Sequence, residues 1–471
     1  MESASALVNG ARQRDRFTAN GMITNSTSLN NCVDLFFVAG ATRTMSAPEI
    51  HKMLTRSWTE DKELTLRLIF WAGNIRGGAG ERRFFEEALK FLYEKDETAF
   101  FKIIEFVPEF NRWTSLFLFP YTPVFEYMKA NIDNGLLCKW MPRKNQYDGF
   151  GKKFRKFLKM NAEDFRKMIV KNSKTVEQLM CQKEFGAINY SQVPSVAMNK
   201  YRTAFYRNDE SRFKMFIEEA IKKVETTGEK IIKAEAIFPY DIYKKFRTEG
   251  ASRAIDAQWM SLPNYMEGTN EKILPMCDLS GSMTGLPMDI SISLGVYLSE
   301  RNTGLFKDAW VSFSGSPVMN YLQGSACDRF KAMERGHVGY NTDLDKAFDL
   351  ILNTAVRSNV PAEDMPSMLL IISDMEFDNS CISFNYTAFD MIQHKYRTAG
   401  YEMPKIVFWN VNGRAGNVPV NAKTKNVALV SGASPAIMKS ILSGRDFTPR
   451  GIMLNTIMTE VYDKVVEKYN A

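Results

Sequence analysis

The chain has 471 residues, 45% of them hydrophobic and 24% charged, with a net charge of +7. That balance belongs to a globular chain long enough for more than one core, and it excludes a disordered or collagen-like polymer. No apolar run approaches the ~20 residues that cross a bilayer, so no membrane partner is expected.

Residues 1–30 are polar, rich in Ser, Asn and Thr, and predict a flexible N-terminal arm. The opening MESASALVNGARQRDRF has no apolar h-region, so an intracellular, cytoplasmic protein is expected. From 31 to about 130 the apolar spacing is helical. Leu64, Leu66, Leu68, Ile69 and Phe70 form one apolar face, and Phe84, Phe85, Ala88, Leu89 and Leu92 another. RGGAG (76–80) joins the two; it is not a phosphate loop, because no Lys-Ser/Thr follows it.

Between about 135 and 190, KWMPRK, GKKFRKFLK and FRKMIVKNSK crowd basic residues together, interleaved with Trp140, Tyr147, Phe150, Phe154, Phe157 and Phe165. Two assignments are open. Basic side chains can pair with phosphates while aromatic faces stack on bases. On amphipathic helices, Phe154 and Phe157 would instead be core and the lysines a wet face. Helical segments rich in Tyr, Phe and Arg continue through 188–225, so residues 31–265 predict an irregular all-α helical-repeat array. Residues 271–471 hold 19 Lys and Arg against 21 Asp and Glu, and the first 270 hold 42 against 33. The positive excess therefore lies in the helical part. It points to an anionic partner, nucleic acid first, or to a solvated lysine-rich surface.

After about 270, strand candidates alternate with helices. ILPMC (273–277), AWVSF (309–313), PVMNYL (317–322), SMLLIIS (367–373), KIVFWNV (405–411) and NVALVSG (426–432) are the strands. Helices are expected near 287–300, 342–356 and 386–398. This alternation predicts an α/β doubly wound sheet, which binds ligands at the C-terminal ends of its strands.

Three segments converge at that edge. The first strand runs into Asp278-Leu279-Ser280-Gly281-Ser282, Thr342 precedes a helix, and LLIIS runs into Asp374. Asp and Ser are also common turn and cap residues. Three matches in order at strand ends nevertheless point to a divalent ion. An all-oxygen set selects Mg²⁺, Mn²⁺ or Ca²⁺. Asp343, Glu376 and Asp378 lie nearby and add negative charge or cap helices. The six cysteines and three histidines are far apart, which excludes a zinc cluster and suits a reduced chain with free thiols.

The D-x-S-x-S, Thr, Asp pattern resembles the von Willebrand A domain and its metal-ion-dependent adhesion site. The resemblance makes Ser280, Ser282 and Thr342 direct ligands and Asp278 and Asp374 ligands through water. One coordination position stays open for a partner's acidic oxygen. A basic helical array followed by such a domain is similar to the TROVE-module ribonucleoprotein family, and closer to a family of the same two-part plan. That likeness is carried by LRLIFWAGNIRGGAGERRFFEEALKFL, VPEFNRWTSLF, KWMPRK, VPSVAMNKYRTAFYRND and VSGASPAIMKSIL.

The resemblance implies a HEAT-like ring or horseshoe over 31–268, a Rossmann-like A domain over 269–432, and C-terminal helices over 433–471 that pack back on the body. RNA is the implied partner of the helical part, with Arg76, Arg82, Arg83, Lys139, Arg143, Lys144, Arg202 and Arg207 as candidate contacts. A non-enzymatic, RNA-binding, ribonucleoprotein-like protein with a metal-dependent protein partner is the leading expectation. A metal-dependent scaffold without nucleic acid is the alternative. A metal-dependent hydrolase is a third, disfavoured because no general base or Ser-His-Asp order accompanies the site. The oligomeric state is left open.

Overall fold

A computed structural model describes residues 16–471 apart from 144, 174, 313–315, 337–342 and 379–386. Residues 31–260 are helical, and a six-stranded mixed sheet with flanking helices follows. Local chemistry fixes many of the helix starts. Asn30 caps Asn31–Ala39, Asp61 caps Lys62–Gly73, and Ser46 with Glu49 forms a reciprocal capping box for Ala47–Glu60. The two apolar faces expected from the sequence are buried against each other. The Phe70 and Phe85 rings lie edge to face at 5.5 Å. A Cβ at Gly73 would come within 2.3 Å of the Phe85 ring, so only glycine lets these helices approach so closely.

The sheet strands are β1 (Ile273–Cys277), β2 (Ala309–Ser312), β3 (Met319–Tyr321), β4 (Met368–Ser373), β5 (Lys405–Asn410) and β6 (Val427–Ser431). Their order is β3-β2-β1-β4-β5-β6, all parallel except the short edge strand β3. From β1 the chain winds one way to β2, and the strands from β4 on are laid down on the other side. The switch point of this doubly wound sheet is therefore the gap between β1 and β4. β1, β4 and β6 are buried along their whole length, as expected of strands covered on both faces.

Helix Leu286–Glu300 is apolar nearly all round because it is covered twice, by β1 and by helix Pro239–Glu249 of the helical part. Helix Ala326–Glu334, absent from the sequence-based expectation, completes this junction. Its Phe330 ring packs on Tyr243, Phe246 and Trp259. One continuous apolar core runs through both parts, and a smaller separate one lies within residues 188–257.

Residues 16–30 differ from the expected flexible arm. Arg16–Phe17 and Ile23–Thr24 form a small hairpin, and the segment is hydrogen-bonded along the C-terminal edge of the sheet. Asn25 exchanges backbone hydrogen bonds with Val418, the Ala422 N–H donates to the Ser28 carbonyl, and Met22 is buried. Helix Asn31–Ala39 then lies on β6, where the Ser431 hydroxyl donates to the Phe36 carbonyl at 2.8 Å. At the other terminus, helix Glu460–Asn470 packs on helices Lys62–Gly73 and Glu97–Lys102. Among the described residues, no helix is long and apolar enough to cross a membrane.

Candidate functional site

β1 and β4 bring Asp278 and Asp374 to the two sides of the switch point. The Asp278 N–H donates to the Ile372 carbonyl of β4, which fixes the register of the two strand ends. The Asp278 carboxylate is fully buried. It accepts the Ser280 N–H on Oδ1 at 2.9 Å and the Ser373 hydroxyl on Oδ2 at 2.7 Å. The turn Gly281–Met283 folds the chain back so that the Ser280 and Ser282 hydroxyls lie 3.0 Å apart; Ser280 is buried and Ser282 exposed. Behind them, the Ser291 hydroxyl donates to the Asp278 carbonyl at 2.9 Å and ties the site to helix Leu286–Glu300.

Asp374 is equally buried, and Met375 after it takes a left-handed conformation with φ 65°. Asp374 Oδ1 accepts the Glu376 N–H at 3.2 Å. Oδ2 is buried and has no hydrogen-bond partner. The electrostatics match this geometry. Burial, then the Asp374 charge, pushes the Asp278 carboxyl up to about 7. Burial also raises Asp374. The Glu376 N–H and the Arg414 guanidinium pull it back down, as does the Ser282 hydroxyl. Two buried carboxylates, one with an oxygen that has no hydrogen-bond partner, and two converging hydroxyls make an oxygen-rich site. That donor set fits a hard divalent cation. Among the described residues no group of three or more His, Cys, Asp or Glu could hold an ion, so hydroxyls and water would have to complete the shell.

Thr342, the remaining expected ligand, lies outside the described residues. Asp343 is a helix cap: it accepts the Lys346 N–H at 2.9 Å and pairs with the Lys346 ammonium. Ser373, a residue outside the expected ligand set, orients Asp278 and accepts the Met375 N–H. Its signal was its place as the last residue of an otherwise apolar strand. Glu376 is buried, paired with Arg414 at 3.1 Å, and accepts the Ala19 N–H of the N-terminal hairpin.

Most of the described helical candidates already have partners within the protein. Arg202 differs from an exposed phosphate contact: it is buried and donates through Nε and Nη2 to Glu249 at 3.1 and 2.9 Å. That salt bridge clamps two helices and holds the guanidinium away from solvent. Arg82 pairs with Glu86 at 2.8 Å and Lys139 with Glu177 at 2.6 Å. Arg76 and Arg83 are exposed but donate to the carbonyls of Glu109 and Arg43. Arg143 and Arg207 are exposed, and Lys144 lies outside the described residues. Of the interleaved aromatics, Phe150 and Phe154 are wholly buried, and Tyr147, Phe157 and Phe165 pack on the core. Only Trp140 of the six is well exposed. The amphipathic-helix alternative therefore describes this stretch. Phe150 packs on Phe117, and Phe154 packs on Phe125 and Phe165, while Lys152, Lys153, Lys156, Lys159, Arg166 and Lys167 face water.

Residues 272–468 match a domain of unknown function, DUF7788, and residues 18–109 and 139–269 match another, DUF2828. Neither is a TROVE module or a von Willebrand A domain by description. The two matches meet between 269 and 272, just before β1. The chain is similar to the uncharacterized protein L728 of Acanthamoeba polyphaga mimivirus, at 25% identity over 95% of this chain and 88% of that one.

Proposed function

We propose that the chain is a non-enzymatic binding protein whose C-terminal part is a von Willebrand A-like domain with a divalent-ion adhesion site. Mg²⁺, or Mn²⁺ or Ca²⁺ in its place, would be held by Ser280, Ser282 and Thr342, with Asp278 and Asp374 acting through water. The ion supplies an open position for an acidic oxygen of a protein partner. The observation that carries this proposal is the meeting of Asp278, Ser280, Ser282 and Asp374 at the switch point, with Asp374 Oδ2 buried and undonated. No described histidine lies at the site: His51 pairs with Glu87, and His394 contacts Arg397. The neighbouring Cys277 thiol is buried and its pKa is pushed up by that burial. Binding suits such a site better than turnover does. Calorimetry with MgCl₂ and MnCl₂ is expected to give one saturable site, lost in Asp278→Ala. A chain that takes up no divalent ion at millimolar concentration overturns the proposal.

A second function rests on a separate observation. Residues 139–183 hold thirteen Lys and Arg against four Asp and Glu, so the positive excess of the helical part is concentrated there. The exposed lysines of 152–167 support RNA binding on a helical-repeat, TROVE-like module, in a ribonucleoprotein-like protein of the cytoplasm. The separated free thiols suit that reducing compartment. Because the aromatics are buried, phosphate pairing would dominate and stacking would be minor. A structured RNA with a single-stranded 3′ tail is expected to bind with a steep salt dependence. Absence of saturable binding at low salt refutes RNA binding and leaves the protein scaffold.

A further inference from the structure

The tip of the N-terminal hairpin touches the loop that follows Asp374. The Ala19 N–H donates to Glu376 Oε2, the Asn20 side-chain amide to the Glu376 carbonyl at 2.7 Å, and the Thr18 hydroxyl to the Phe377 carbonyl at 2.6 Å. Gly21 forms a bridge with Asp378. Glu376 is then fixed from the other side by Arg414 and by the Asn417 amide, which also donates to the Met375 carbonyl at 2.8 Å. Asn417 is itself held by the Thr24 hydroxyl of the same hairpin. The loop so gripped contains the left-handed Met375 and ends in the Glu376 N–H that orients Asp374. The segment carrying that N–H leaves β4 at Ser373 and belongs to no strand of the sheet.

We propose that residues 18–21 are a working part of the ion site: the hairpin clasps Glu376, Glu376 aims Asp374, and the N-terminal segment thereby sets the affinity for the divalent ion. This rests on the ion site proposed above. The hairpin residues are positioning residues and touch no ligand. Their effect runs from strap to Glu376 to Asp374, the route by which outer hydrogen-bond partners tune metal sites elsewhere.

One substitution isolates the clasp. The Gly21 N–H donates to the Thr18 carbonyl at 3.0 Å, so Thr18–Gly21 is a β-turn with Ala19 at its second position, which accepts proline readily. Ala19→Pro removes the donor to Glu376 and keeps the turn; Ala19→Gly keeps the donor. Mn²⁺ binding to the full chain is measured by electron paramagnetic resonance and calorimetry. The thermal midpoint in EDTA serves as the check on folding. Affinity is expected to fall about tenfold or more in Ala19→Pro, as when a hydrogen-bond partner behind a metal ligand is lost, and to be unchanged in Ala19→Gly. Asn20→Ala, which frees the Glu376 carbonyl, is expected to act in the same direction and serves if the proline variant does not fold. Unchanged Mn²⁺ affinity in folded Ala19→Pro or Asn20→Ala, with binding still lost in Asp278→Ala, overturns the clasp alone. No Mn²⁺ binding to the unaltered chain overturns the ion site and the clasp with it.

Discussion

At the sheet edge, Asp278 is buried beside a second carboxylate, Asp374, and burial and that neighbour both act on its charge. Its pKa is pushed up to about 7 in the ion-free protein, against about 4 in an unfolded chain. The folded state therefore holds a proton that the unfolded chain has released, and stability falls as pH rises through that window. The thermal midpoint in EDTA is expected to drop between pH 5 and pH 8. Asp278→Asn should flatten the drop, and Mg²⁺ should restore the midpoint at pH 8. A midpoint that rises with pH in EDTA would contradict the assignment. Arg202 provides a test in the helical part. Arg202→Ala removes two charge-assisted hydrogen bonds to Glu249 and is expected to cost about 1.5–3 kcal/mol in denaturant unfolding. The salt slope of any RNA binding should be unaltered, since a residue this buried contacts no phosphate.

At the scale of elements, the order of strands places the chemistry. β1 and β4 are neighbours with connections leaving in opposite directions, so their ends open a crevice that no crossover helix fills. Helix Leu286–Glu300 sets how closely β1 can pack. At Gly295 a Cβ would lie 2.6 Å from Cys277 Sγ and 2.4 Å from Met333 Cε. Gly295→Ala is expected to destabilise the chain by about 1–3 kcal/mol through overpacking, and adding Cys277→Ala should recover part of that loss. A double-mutant cycle by thermal or denaturant unfolding measures it, and additive effects would show that the two sites do not touch.

At the scale of the whole molecule, the first and last described segments each cross to the other part. The N-terminal hairpin lies on the sheet edge, and the last helix lies on the first helices. The Tyr462 ring packs on Phe110 at 5.6 Å, and its hydroxyl accepts the Asn74 amide at 3.1 Å. Asp463 meets the buried Arg67 at 2.7 Å. Tyr462→Ala is expected to cost about 3–5 kcal/mol, as for a buried aromatic. Unfolding of the helical and sheet parts should stay coincident in the parent chain and separate in the variant, since one core joins them. Tryptophan fluorescence and far-UV circular dichroism, followed together, read that difference.

Periodicity and punctuation made much of this legible in the sequence. The strand cores from 273 to 431 and the helices at 286–300 and 344–357 follow from apolar runs and their spacing, because burial on two faces leaves no other composition available. The pairing of Asp278 with Ser280 and Ser282 was legible for the same local reason: a D-x-S-x-S turn at a strand end brings its own oxygens together. Other features were decided only in three dimensions. Residues 16–30 look like any polar arm until the sheet edge supplies partners nearly 400 positions away. Arg202 looks like any basic residue until Glu249 arrives beside it. Phe150 and Phe154 read equally as stacking platforms or as core until Phe117 and Phe125 close over them. A local pattern fixes which face a residue shares, but which long-range partner meets that face is a property of the assembled core.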